Sequence, residues 1–148
     1  MKCEAFLLFS LLLLSSAVLA QTPVYQSGGA AINGYDPVAY FLENKPVPGT
    51  EAHTLTWNGA TWRFASVDNM EAFREKPEQF APQYGGYCAY GASRGYLAQT
   101  DPQAFTILDH KLYLNYSLDV RTEWMKDLED RILKADYNWE TKLKLKSK

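Results

Sequence analysis

The residues best placed to do chemistry cluster around one thiol. Cys88 lies in Gln83-Tyr84-Gly85-Gly86-Tyr87-Cys88-Ala89-Tyr90-Gly91, where glycines permit positive φ and close backbone approach. Three chemistries fit this run. A thiolate at Cys88 binds a soft metal such as copper(I), with a histidine or methionine added to the shell. A thiolate of lowered pKa serves a redox protein or enzyme, although the nearest cation in sequence is Arg94. Tyr84, Tyr87 and Tyr90 can instead line an aromatic pocket for a small molecule or partner. On residue types alone, the simplest reading is a buried thiol in a Gly-rich turn.

The chain has 2 histidines, too few for a multi-histidine metal centre. His53 falls on the core-facing side of an expected strand and is the candidate second metal ligand beside Cys88. His110 falls in an expected turn, where histidine tolerates positive φ better than most residues. Met70 and Met125 sit at helical core spacing and read as packing residues. No Gly-x-Ser-x-Gly, His-Glu-x-x-His or phosphate loop occurs. These absences favour a binding protein over an enzyme. The net charge of −2 supplies no general field for nucleic acid or an anionic membrane.

The compartment decides what one thiol can do. Residues 1–20 read as a secretory signal: Lys2, an apolar run from Ala5 to Leu14, then small residues ending at Ala20 before Gln21. That run is shorter than the roughly 20 residues a membrane span needs, so no stable membrane insertion is expected after cleavage. Export to the periplasm or extracellular space follows. Cys3 leaves with the signal, so Cys88 has no partner for an intramolecular disulfide.

The elements that position these residues predict an α+β fold. Residues 21–30 are expected to be a linker, 31–140 a domain with a C-terminal helical extension, and 141–148 a solvated basic tail. Asp36 caps a short helix that starts at Pro37. Asn58-Gly59 predicts a type I′ hairpin that opposes Trp57 to Ala60, Leu55 to Trp62 and His53 to Phe64. Leu55, Trp57, Trp62 and Phe64 form its apolar face. Ser66 caps a helix from Val67 to Lys76, with Met70 and Phe73 on one face. Gly and Pro punctuate residues 81–103 as a loop. A second hairpin pairs Phe105–Leu108 with Lys111–Leu114 around Asp109-His110. Ser117 then caps one long helix reaching Asp136, with Val120, Trp124, Leu128, Ile132 and Ala135 as its stripe.

Several segments resemble the YHS domain family. They are Asp36-Pro37-Val38, Trp57-Asn58-Gly59-Ala60-Thr61-Trp62-Arg63-Phe64-Ala65-Ser66, Phe73, and Pro77-Glu78-Gln79-Phe80. The resemblance covers residues 31–80, and the remainder looks like a longer, exported branch. It implies a small domain associated with metal handling. Metal-binding members carry cysteines where this chain has Ala39, Ala65 and Asn69, so the family's thiolate set is missing here. The replacements suit an oxidising compartment. The combined expectation is an exported, non-enzymatic YHS-type binding protein that handles copper through Cys88. A thiol-based redox protein and an aromatic-pocket binding module are the alternatives.

Overall fold

The computed structural model describes residues 21–146, so the expected signal segment lies outside the described residues. The fold is α+β: small antiparallel hairpins packed against helices, with a helical C-terminal segment. A two-residue ribbon, β1 (Gln26–Ser27) with β2 (Ala30–Ala31), leads into α1 (Pro37–Glu43). The first hairpin is β3 (Thr50–Trp57) with β4 (Ala60–Phe64), followed by α2 (Val67–Glu75) and the single turn α3 (Pro77–Phe80). A short helix, α4 (Ala89–Ser93), precedes the second hairpin, β5 (Asp101–Leu108) with β6 (Lys111–Asn115). Then come α5 (Leu118–Lys126) and α6 (Leu128–Asn138), which runs on into a wider turn at Trp139–Leu143.

Local chemistry explains the turns and caps. Asn58 and Gly59 take φ values of 50° and 73°, and Asp109 and His110 take 49° and 59°, the double positive φ of a type I′ connection. Ser66 Oγ accepts from Asn69 N–H at 3.1 Å, and Ser117 Oγ accepts from Val120 N–H at 3.1 Å, so each serine satisfies an otherwise unpaired donor. Both hairpins hold the expected pairings near their turns, including Leu55 with Trp62 and Ile107 with Leu112.

The structure corrects four expectations. The first hairpin is irregular between Thr50 and Thr54, so Phe64 pairs with Thr50 and not with His53. Extra residues in one strand shift the ladder there without disturbing the turn end. The single long helix is two, because Asp127 leaves helical geometry at φ −130° and ψ 48°. Met125 is exposed on α5, not packed in a core. Residues 81–103 are not a plain loop: they contain a 3₁₀ turn at Gln83–Gly86 and α4, and much of this stretch is buried.

Two cores result, divided by β6. Trp62, Phe64 and Phe73 anchor the first, with Val38, Tyr40, Leu112 and Leu114 around them. Tyr113 points the other way, into the second core with Tyr84, Trp124, Ala135 and Leu143. Alternation along β6 therefore supplies both cores from one strand. Each fully buried side chain of this size contributes about 1.5–3 kcal/mol from burial.

The ends of the described chain are also held. Tyr25 N–H donates to Gly85 O at 2.9 Å, and Thr22 and Asn58 exchange bonds at 3.0 and 2.7 Å. The segment expected as linker therefore lies along the turn of the first hairpin. Leu143, within the expected tail, is fully buried in the second core.

Candidate functional site

Cys88 caps α4. Its Sγ accepts from Gly91 N–H at 3.5 Å and from Tyr116 N–H at 3.3 Å, and the thiol points at Asn115 Oδ1 at 3.5 Å. Asn115 Oδ1 also accepts from Tyr90 N–H at 3.0 Å. The residue is 2% exposed. Burial pushes the thiol pKa up, and the backbone N–H groups offset only part of that effect. The proton therefore stays on sulfur at neutral pH, where a redox or nucleophilic thiol needs the opposite shift. The cluster's geometry ties α4 to the end of β6.

The other candidate ligand lies elsewhere. His53 is half-buried on β3, beside the ladder irregularity, and is not among the hydrogen-bond partners of Cys88. Among the described residues, no group of three or more His, Cys, Asp or Glu side chains is placed to hold a metal.

The positions where the resemblance expects thiolates do converge, but around a carboxylate. Asp36 is fully buried. Its Oδ1 accepts from Val38 N–H at 2.8 Å and Ala39 N–H at 3.2 Å. Its Oδ2 accepts from Ala65 N–H at 2.9 Å and Asn69 Nδ2 at 2.7 Å. Capping explains the first pair. The second pair ties α1 to the start of α2, a role the capping pattern did not reveal. Ala39 and Ala65 carry no donor atom, and the Asn69 amide is already engaged. These residues do not fit a soft metal ion.

The three flanking tyrosines part company. Tyr87 packs against Tyr25, with ring centroids 5.7 Å apart. Tyr90 lies under Arg131, whose guanidinium carbon is 4.4 Å from the ring centroid. Tyr84 is buried, takes a positive φ of 55°, and donates its hydroxyl to Asp136 Oδ1 at 2.8 Å. Burial and that carboxylate push its phenol pKa far above the ordinary range. Tyr84 thus stays protonated and serves as a fixed donor.

Tyr84 and Trp139 line two adjoining clefts. The first, about 190 Å³, is walled by Trp57, Trp62, Tyr84 and Trp139, with Asn58, Glu78 and Gln83 among its polar groups. The second, about 370 Å³, lies on the Asp136 side and is lined by Gln83, Lys111 and Glu140 as well. Tyr87 and Tyr90 line neither. Sequence reasoning found Tyr84 but missed Asp136 and Trp139. The one signal available for Trp139 was a large aromatic on a helix otherwise rich in charge.

No curated protein and no solved structure matches the chain. Residues 38–84 match the family model described as the YHS domain, a span that opens in α1, contains the first hairpin and closes on Tyr84. The segments quoted above from Val38 to Phe80 fall within that span, and residues 38–84 of the chain are a YHS domain.

Proposed function

We propose that the protein is an exported, non-enzymatic binding protein whose ligand site is the aromatic cleft at Tyr84. One observation carries this reading: Tyr84 and Trp139 are shared by two adjoining clefts where the YHS hairpin meets the C-terminal helices. Pockets that combine aromatic walls with a few fixed polar groups suit small molecules. Trp57 and Trp139 are half-buried, so part of each indole remains free to stack on a flat ring. Gln83 and the acceptor oxygens of the Tyr84–Asp136 pair supply hydrogen bonds at the rim. A small ring-containing molecule is the class of ligand such walls take.

Export rests on residues 1–20. Its support is the order of charged start, apolar run and small residues before Gln21. Mass spectrometry of the protein recovered outside the cytoplasm tests it: a chain beginning at Gln21 supports export, and one retaining residues 1–20 overturns it. Copper handling through Cys88 is the weaker reading, because the donor set would start from one buried, protonated sulfur. Copper(I) titration of the parent and Cys88→Ala under reducing conditions tests it. Equal binding by the two removes Cys88 from any role as ligand.

The cleft is tested by titrating ring-containing fragments while following the indole N–H resonances. Binding should perturb Trp57 and Trp139, weaken in Trp139→Ala, and persist in Cys88→Ser. Fragments that bind Trp139→Ala as tightly as the parent would overturn the assignment.

A further inference from the structure

Two arginines share one tyrosine ring away from that cleft. The Arg131 guanidinium carbon lies 4.4 Å from the Tyr90 centroid, and that of Arg94 lies 5.8 Å from it. Arg94 Nη1 reaches the Tyr90 hydroxyl at 3.4 Å, which places it toward the phenol end of the ring. Arg131 Nε is buried and has no hydrogen-bond partner among the described residues. The neighbouring carboxylate, Asp130, is already paired with Lys134 at 2.7 Å. Among the described residues, neither Arg94 nor Arg131 forms an ion pair with a carboxylate.

Stacking on an aromatic ring holds a guanidinium in place while leaving its in-plane donors free. Those donors match the oxygens of a carboxylate or phosphate, and a fork held in advance loses less freedom on binding. Two such cations against one tyrosine ring call for a doubly charged group. The chain's net charge is −2, so this is a local concentration of positive charge, not part of a general basic surface.

We infer that Arg94 and Arg131, held on Tyr90, form a binding site for a tetrahedral dianion: inorganic phosphate or the phosphoryl group of a small molecule. The site is independent of the Tyr84 cleft. It gives Tyr90 a positioning role for the arginines.

The test uses the chain that begins at Gln21. Calorimetric titration with inorganic phosphate and with glycerol 3-phosphate is run against sodium chloride of matched ionic strength. Saturable binding is expected in the parent, weakened about tenfold or more in Arg94→Gln and Arg131→Gln. Arg94 is exposed, so its replacement keeps the test valid if Arg131→Gln fails to fold. Arg131→Lys keeps the charge but loses the fork, and should bind between the parent and Arg131→Gln. Tighter binding of glycerol 3-phosphate assigns the site to a phosphorylated small molecule. Equal or tighter binding of inorganic phosphate assigns it to the free anion. The proposal is overturned if neither ligand binds beyond the chloride control, or if Arg94→Gln binds as the parent does.

Discussion

Asp36→Asn is the most informative single change in the domain. The asparagine oxygen can keep the two α1 N–H bonds from Val38 and Ala39. Its amide nitrogen then opposes the Ala65 N–H, donor against donor, and Asn69 must turn its amide to accept where it had donated. Two bonds to a charged acceptor disappear, at about 1.5–3 kcal/mol each, and the Ala65 N–H loses its partner. Such losses overlap, so the expected cost is about 3–5 kcal/mol, a large share of the roughly 5–15 kcal/mol that holds a domain folded. With a urea slope of about 2 kcal/mol/M, the unfolding midpoint should fall by about 2 M at unchanged slope. The reciprocal pair Asp36→Asn/Asn69→Asp lets the new amide donate to the new carboxylate. It should recover about 1–2 kcal/mol, a coupling of the usual size for residues in contact. A cost for Asp36→Asn below about 1 kcal/mol would refute the reasoning, because the carboxylate would then not be what joins α1 to α2.

Three further outcomes follow from the same geometry. Native Cys88 should react with iodoacetamide at pH 8 about tenfold or more slower than a free thiol, since burial both shields the sulfur and raises its pKa; free-thiol reactivity would contradict the cap assignment. Stability should be full below about pH 10 and fall above it. The Tyr113 phenol is pushed up to about 12 by burial, and those of Tyr40 and Tyr84 further, so the unfolded chain releases these protons first. Urea midpoints that stay level from pH 8 to 11 would sink that prediction. Gly85→Ala should cost about 1–2 kcal/mol or more, because Gly85 holds φ +62° and an added Cβ would strike the Pro23 carbonyl. Hydrogen exchange at Tyr25 N–H, which donates to Gly85 O, should rise in that variant; unchanged protection would count against the contact.

What the sequence made legible was local, and what it hid was set by contacts distant in sequence. Both hairpins announced themselves because a type I′ turn demands positive φ at two adjacent residues, and Asn-Gly and Asp-His tolerate it. The slip at His53 arose away from the turn, where the chain from Thr50 to Thr54 carries no comparable marker. Residues 81–103 were misread because glycine density signals a loop only when the glycines face solvent. Gly91 is buried, and a Cβ there would come within 2.9 Å of the Tyr96 ring, so this glycine serves close packing. The α5–α6 break was hidden because the apolar stripe, Trp124 and Leu128 included, continues past Asp127 in sequence. The site divides the same way. Tyr84 stood out beside Cys88 in sequence, whereas its partners Asp136 and Trp139 come from α6 and the turn after it, and only the fold brings them together.

The two-core plan explains why the cleft lies where it does. The YHS match ends at Tyr84, and Tyr84 is the residue of that span whose side chain enters the second core. The first core is not complete within the match either: Leu112 and Leu114 close it from β6, while Tyr113 of the same strand faces the C-terminal helices. The extension is therefore built onto the domain through a shared strand. The seam between the cores runs past the turn at Gln83–Gly86, where Tyr84, Gly85 and Gly86 all take positive φ. Such a backbone cannot pair as a strand or continue as a helix, so it leaves the seam partly unfilled. Trp57 and Trp62 reach that gap from one core, and Trp139 from beside the other. A ligand seated there would touch both cores at once. Its binding energy would then report on how firmly the extension is docked.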